Sequence, residues 1–211
     1  MSEFGFQSFP SYETIRFLNR ADSLNLTSKG FENHQKHTRR FQLIEDYMAR
    51  DYPMPSNPAD YIYISQLLQA YGITKGIEAH RRSRPQNMGT LYWQLNDCWP
   101  AISWSSIDFF GNWKALHYKA KRSFDNTLIT SKLENELLKT WIVNDKLNDV
   151  SSKLKFELIN FDGNVLWKSQ ATETVKQSSS KLVHEMKMDS VDFNPDETVM
   201  VANYDGISAH F

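Results

Sequence analysis

The segment GTLYWQLNDCWPAISW, residues 89–104, decides how the first half of this 211-residue chain is interpreted. It begins with GTLYWQL, a short and dense apolar run that lacks helical periodicity. Such a run is typical of a strand buried on both faces, as in a parallel sheet covered by helices. Trp93, Gln94, Asn96 and Asp97 follow at its end. We therefore predict a buried parallel strand that carries an indole, two amides and a carboxylate to its carboxyl end.

Helical patterns dominate the residues before this strand. Residues 61–83 have apolar side chains three and four positions apart, and they predict one long amphipathic helix that Asp60 opens. The basic cluster Arg81–Arg84 suits the carboxyl end of that helix, where the helix dipole is negative. Residues 30–52 also show helical spacing, and Ser11 is placed to cap a short helix that follows it.

The sequence pattern changes at about residue 127, where the apolar residues begin to recur with a period of two. Six or so short runs alternate apolar and polar residues, and clusters of Asn, Asp, Gly and Ser separate them. Asp162-Gly163, between two such runs, is a strong hairpin signal. This spacing predicts an antiparallel β-sandwich. The predicted fold class is therefore α/β plus all-β, with residues 1–124 forming the helical part with parallel strands and residues 125–211 forming the sandwich.

The first residues, MSEFGFQSFPSY, form a second apolar segment, with Glu3 set inside it. Two parallel strands make a poor sheet, because parallel strands are normally buried between neighbours. We therefore expect the chain to be the tail of a larger domain whose other strands lie upstream. In a (β/α) barrel, catalytic groups lie at the carboxyl ends of strands. A carboxylate at one such end and an indole with amides at the next suit a sugar site. The carboxylate can attack the anomeric carbon. The indole offers a flat apolar face to the sugar ring, and the amides bind its hydroxyl groups.

Composition argues against several other classes of protein and site. The net charge of -1 argues against a nucleic-acid partner, and the absence of an apolar run of roughly 18 residues argues against a membrane partner. Nothing at the start of this sequence resembles a signal peptide, and the compartment stays open. Cys98 is the only cysteine and is expected to be a buried small residue. His34 and His37 lack a third ligand, so we expect a solvated or rim position for them, with no metal and no cofactor.

Two stretches, SEFGFQSFPS (residues 2–11) and GTLYWQLNDCWPAISWSSIDFFGNWKALHY (residues 89–118), resemble the C-terminal part of a β-mannosidase of glycoside hydrolase family two. The resemblance implies the terminal piece of a (β/α)8 TIM barrel, from its seventh strand, followed by an immunoglobulin-like β-sandwich. It implies that Glu3 is the nucleophile and that Trp93 lines the mannose subsite. Two roles remain equally open for Asn96 and Asp97. They could contact the substrate or the residues that support it, or they could simply turn the chain out of the strand.

The implied reaction is exo-hydrolysis of a terminal β-linked mannose, with retention, from a β-mannoside oligosaccharide. Its acid/base would be a glutamate in an Asn-Glu pair upstream of the nucleophile, and this sequence has no such pair before Glu3. Asn135-Glu136 follows the nucleophile and is expected in a polar turn of the sandwich. We therefore expect the isolated chain to be inactive and to need the N-terminal domains of the same enzyme as its partner.

Two alternatives stay open at this point. The chain could be a non-catalytic β-sandwich module that contacts carbohydrate or protein and carries a helical appendage. It could also belong to a β-galactosidase or β-glucuronidase, which share the architecture of the family. The block Trp-Gln-Leu-Asn-Asp, residues 93–97, favours mannose.

Overall fold

Two compact units are formed by the residues that the computed structural model describes, 1–20 and 24–211. The first unit contains residues 1–77 and 89–123, and the second contains residues 78–88 and 124–211, within the described part of the chain. Each unit has a hydrophobic core of its own. None of the described helices combines the length and the apolar character that crossing a bilayer requires.

The elements up to residue 123 are two very short strands and five helices, as far as the chain is described. They are β1 (Phe4–Gly5), α1 (Tyr12–Leu18), α2 (Lys29–Glu32), α3 (Gln42–Asp51), α4 (Pro58–Arg82), β2 (Tyr92–Trp93) and α5 (Ala115–Ser123). The predicted cap is confirmed, because the Ser11 hydroxyl accepts a hydrogen bond from the Thr14 backbone N–H at 3.2 Å. The predicted long helix is confirmed as α4, which begins at Pro58, a residue suited to a first helical turn.

The helical spacing within residues 30–52, at Phe41, Ile44, Tyr47 and Met48, is confirmed by α3, which buries Ile44 and Met48. Residues 33–41 lie between α2 and α3 and are not helical. Here Gln35 pairs in parallel with Ile102, and the Ile102 N–H donates to His34 O at 2.7 Å. Long-range hydrogen bonding therefore shapes the segment between the two helices.

The two short strands pair in parallel, with Phe4 opposite Tyr92 and Gly5 opposite Trp93. One face of this pair is covered, because Phe4 and Tyr92 pack against buried residues of α4 and α5. Helix α4 approaches closely at Gly76, where an added Cβ would lie 2.5 Å from Cε2 of Phe4. The other face is open in the described structure, and the side chain of Trp93 is 50% exposed. The prediction of a strand buried on both faces is therefore wrong for these residues, and only two of the seven predicted positions have strand geometry.

The second half is an antiparallel sandwich of seven strands between residues 127 and 210, as predicted. One sheet has the order β3 (Thr127–Glu134), β4 (Leu137–Asn144) and β7 (Ser179–Lys187), and the other has the order β6 (Val165–Val175), β5 (Val150–Asn160), β8 (Thr198–Tyr204) and β9 (Ile207–His210). Two 3₁₀ helices, Met188–Ser190 and Pro195–Glu197, lie between β7 and β8. Both sheets contribute to one core, which includes Ile142 and Phe156.

Turns and one buried hydroxyl fix the register of the sandwich. Asn135 and Glu136, with φ of 50° and 64°, form the two-residue turn between β3 and β4, so the predicted polar turn is confirmed. Gly163, with φ of 87°, lies in the predicted hairpin between β5 and β6. The hydroxyl of Tyr204 lies 2.8 Å and 3.0 Å from two backbone carbonyl oxygens, those of Val150 and Glu173, and ties three strands together.

Candidate functional site

The strand register places Gly5 and Trp93 on one face. Side chains alternate along a strand, so Gly5 and Trp93 share the face opposite Phe4 and Tyr92. The two segments also meet before the strands, where the Leu91 N–H donates to Met1 O at 3.3 Å. Glu3 is exposed and comes immediately before β1. The indole therefore lies on the open face of the strand pair, and the carboxylate lies at the start of the neighbouring strand.

The position of Glu3 differs from the expectation in one respect. It comes immediately before β1, whereas the sequence suggested that it ends an apolar strand. The physical reason is that the apolar chain continues past it, with Phe4 and Phe6 packed against the core beneath α4 and α5. Trp93, by contrast, is the last residue of β2.

Trp104 forms a second aromatic wall beside this face. A Cβ added to Gly5 would lie 2.8 Å from Cδ1 of Trp104 and 2.7 Å from the carbonyl oxygen of Trp93. Glycine is therefore required at position 5, because any side chain there would displace the Trp104 ring or the Trp93 carbonyl. The ring of His37 lies 6.1 Å from that of Trp104, centre to centre.

Asp97 holds the segment that follows Trp93. Its carboxylate is buried and accepts hydrogen bonds from the hydroxyls of Ser103 (2.9 Å) and Ser105 (2.6 Å) and from Nε2 of Gln94 (3.2 Å). Nε2 of Gln94 also donates to the carbonyl of Asn96, which is itself exposed. Asp97 therefore stabilises residues 94–105 as a loop, and Asn96 lies on the loop surface.

Gln69 is a functional candidate that the sequence did not single out. It is fully buried on α4, and its Nε2 lies 2.8 Å from Phe6 O, 3.1 Å from Trp104 O and 3.2 Å from Ser105 O. Its Oε1 accepts a hydrogen bond from Ser8 Oγ at 2.8 Å. One amide thus joins the segment after β1 to the loop after β2. The signal in the sequence is a polar side chain in the same helix turn as Leu68 and Ala70, which are both buried.

Lys114 is a second residue that the sequence did not single out. It is 1% exposed, and its Nζ donates to the carbonyl of Ser8 at 3.4 Å. Burial lowers the pKa of Lys114 to about 7, although the charges of Asp97 and Asp108 oppose this shift. Because Lys114 is buried, interacts with the charges of Asp97 and Asp108 and donates to Ser8, it is a candidate for positioning the segment after β1.

Asp108 anchors the same region to the start of α1. Its carboxylate accepts hydrogen bonds from the Thr14 hydroxyl at 2.7 Å, the Ser11 N–H at 3.2 Å and the Asn112 N–H at 2.9 Å. Burial raises the pKa of Asp108, but these hydrogen bonds outweigh it and hold the pKa below the ordinary value. Asp108 is therefore an ionised structural anchor.

The two histidines contact different indole rings. His34 donates from Nδ1 to Pro100 O at 2.9 Å and stacks on Trp99, whereas His37 lies beside Trp104. Among the described residues, no group of three or more His, Cys, Asp or Glu side chains could hold a metal ion. Cys98 is exposed, so the prediction of a buried cysteine is wrong, and it is the neighbouring Asp97 that takes the buried position.

Curated proteins named β-mannosidases are similar in sequence to this chain. Residues 136–206 match a family model described as a Mannosidase Ig/CBM-like domain. The chain is 33% identical to β-mannosidase of Rattus norvegicus over 172 residues, which cover 75% of this chain and 19% of that protein. It is 26% identical to β-mannosidase B of Aspergillus niger over 219 residues, which cover 99% of this chain and 25% of that protein. The chain thus spans a quarter or less of the length of these curated relatives.

Solved structures of glycosidases also superpose on this chain. The β-D-mannosidase of Dictyoglomus thermophilum superposes on the whole chain with a TM-score of 0.92 and 28% identity, over 27% of its own length. The exo-chitosanase CsxA of Amycolatopsis orientalis superposes on 97% of the chain with a TM-score of 0.80, and its 19% identity shows a shared fold alone. The predicted resemblance to the β-mannosidases of glycoside hydrolase family two is thereby confirmed.

Proposed function

We propose that this chain supplies the nucleophile and part of the mannose subsite of a retaining exo-β-mannosidase. In this proposal, residues 1–124 form the end of a (β/α)8 catalytic barrel and residues 125–211 form an immunoglobulin-like sandwich that follows it. The observation that carries the proposal is the strand pair, with Trp93 on its open face, helices on the other face, and Glu3 immediately before β1. A barrel has this arrangement, with helices outside and strand side chains inside. The likeness to relatives named β-mannosidases supports the choice of substrate.

Glu3 is the nucleophile in this proposal. Its carboxylate oxygen attacks the anomeric carbon of a terminal β-mannose while the bond to the leaving oxygen breaks, and a mannosyl ester forms on Glu3. A second carboxyl group, supplied by the rest of the enzyme, protonates the leaving oxygen and then deprotonates the water that hydrolyses the ester. Retaining chemistry requires the two carboxyl groups to lie about 5–5.5 Å apart.

The other residues of the site position the sugar. The half-exposed indole of Trp93 offers a flat apolar face to the C–H face of the mannose ring. Asp97 and Gln69 hold the backbone on both sides of that indole, through the loop of residues 94–105 and the segment after β1. The position of Trp93 is thus set by buried groups that do not touch the sugar themselves.

A chimaeric enzyme tests this proposal. The matching quarter of the Dictyoglomus thermophilum β-mannosidase is replaced by this chain, and hydrolysis of aryl β-mannoside, β-galactoside, β-glucuronide and β-glucosaminide is measured. We expect turnover of the mannoside alone, its loss in Glu3→Gln, and labelling of Glu3 by a 2-fluoro-mannosyl reagent. Glu13→Gln, which changes an exposed glutamate on α1, is the matched control and should leave turnover unchanged. Labelling of another residue, or preference for another sugar, would refute the assignment.

A further inference from the structure

One buried serine is bonded to the chain on both sides of Trp93. Ser106 is fully buried, and its backbone N–H donates to the carbonyl oxygens of Gln94 at 3.0 Å and Leu95 at 3.1 Å. Its hydroxyl donates to the same Leu95 oxygen at 3.0 Å and lies 2.8 Å from the hydroxyl of Tyr92. A single residue therefore contacts the position before Trp93 and the two positions after it.

Helix α5 and the residue before it hold Ser106 in turn. Nδ1 of His117, on α5, lies 3.0 Å from Oγ of Ser106. The Lys114 N–H donates to the carbonyl of Ser106 at 2.9 Å, and the His117 N–H donates to the carbonyl of Lys114 at 2.9 Å. Leu116, on the same helix, is fully buried in the core against which Tyr92 packs. Ser106 thus connects the end of β2 to a packed helix.

The indole of Trp93 needs such support from the backbone. Half of this side chain is exposed, so packing against neighbours restrains it less than it would in a core. A ring that stacks on a sugar has to be held close to one orientation, and buried hydrogen bonds behind a binding residue serve this purpose. Ser106 lies in the right place, because its partners are the immediate neighbours of Trp93 in the chain.

We propose that Ser106 is a positioning residue of the mannose subsite, which holds the indole of Trp93 in its sugar-stacking orientation through Tyr92 and Leu95. The inference rests on the proposed function, because it takes Trp93 as the face on which the sugar stacks. Ser106 is buried and does not touch the sugar, so it acts only through the indole. Loss of its hydroxyl removes the contacts with Tyr92, His117 and one of those with Leu95, while its backbone N–H stays in place.

Kinetics of the chimaera on an aryl β-mannoside test this role. Ser106→Ala should lower kcat/KM about threefold to tenfold, and Tyr92→Phe, which removes the partner hydroxyl, should have a similar effect. When Trp93 is already alanine, Ser106→Ala should lower kcat/KM no further, because a residue that acts only through the indole has nothing left to position. Ser131→Ala is the matched control, since it removes a buried hydroxyl of the second unit that lies 2.7 Å from the Thr140 hydroxyl, and it should leave kcat/KM unchanged.

Fluorine nuclear magnetic resonance of the 211-residue chain, labelled with 5-fluorotryptophan, reports on the indole itself. The Trp93 signal is assigned by its loss in Trp93→Phe. We expect this signal to broaden in Ser106→Ala and in Tyr92→Phe, because the indole then samples several orientations. The signal should be unchanged in Ser131→Ala.

The outcomes separate this inference from the proposed function. An unchanged Trp93 signal in both variants would overturn the role of Ser106, and so would a loss of kcat/KM that is equally large when Trp93 is alanine. If Ser106→Ala fails to fold, Tyr92→Phe decides the question alone. A parent chimaera without mannoside turnover would refute the proposed function, and the Trp93 signal would still show whether Ser106 holds the indole.

Discussion

Replacing Lys114 by methionine should change how the stability of the chain depends on pH. Lys114 is buried, and its pKa falls from the ordinary 10.5 to about 7 in the folded chain because burial disfavours its charge. Between pH 7 and 10.5 the unfolded chain therefore binds more protons than the folded chain, and the free energy of unfolding rises with pH. Below about pH 7 both states are protonated at this site, so its contribution no longer changes.

The size of the effect follows from the two pKa values. From pH 7 to pH 9, the lysine contributes a gain of about 2 kcal/mol, since one pKa unit corresponds to about 1.4 kcal/mol. In Lys114→Met this gain should disappear, because methionine fills a similar space without a titrating group. Lys119→Met, which changes an exposed lysine on α5, is the matched control and should keep the slope of the parent.

Urea unfolding, followed by tryptophan fluorescence at pH 7, 8 and 9, measures this slope. Four of the six tryptophans lie in the first unit with Lys114, so fluorescence reports mainly on the relevant part of the chain. An equal slope in Lys114→Met and in the parent would show that the ammonium group is solvated in the folded chain. The reasoning from burial would then fail, and with it the positioning role of Lys114.

Three further changes have defined outcomes. Gly76→Ala should lower the free energy of unfolding, measured in urea, by about 1–3 kcal/mol, because its Cβ would lie 2.5 Å from a packed phenyl ring. Gly89→Ala is the control and should be neutral in the same assay, because no atom lies within 4 Å of its added Cβ. Tyr204→Phe should cost about 1–2 kcal/mol in thermal unfolding, because the one O–H donor that lies between two buried carbonyl oxygens is lost, and an unchanged melting temperature would contradict this. In the chimaera, Trp93→Ala should lower kcat/KM on an aryl β-mannoside about tenfold or more through loss of the stacking face, and unchanged kinetics with a lower melting temperature would make Trp93 a core residue.

Local patterns predicted much of the fold. The cap at Ser11, the helix α4 and the turn at Asn135-Glu136 depend on neighbouring residues, and the structure confirms them. The alternation after residue 127 also predicted the sandwich, because strands such as β5 and β8 bury alternate residues, among them Phe156 and Met200.

Interactions between distant parts of the chain explain the failures. The non-helical segment before α3 pairs residue 35 with residue 102, and no local signal marks such a pairing. Lys114 and Gln69 lie in the interior although lysine and glutamine are usually exposed, and only the folded chain brings their partners together. The position of Trp93 on the open face follows from the strand register, and the roles of Glu3 and Trp93 in catalysis stay predictions.

The amide of Gln69 limits how this region can be engineered. The loop after Trp93 looks like a segment that could be transplanted into another barrel to change its sugar preference. Two of its carbonyl groups, those of Trp104 and Ser105, lie within hydrogen-bond distance of a donor that is 35 and 36 positions earlier in the chain. A graft of residues 94–105 alone would keep the Gln94 N–H that also donates to the Trp104 carbonyl, but it would leave the Ser105 carbonyl without the Gln69 amide. The smallest portable piece is therefore discontinuous, and it must include the turn of α4 around Gln69 as well as the segment of residues 6–8 that the same amide holds.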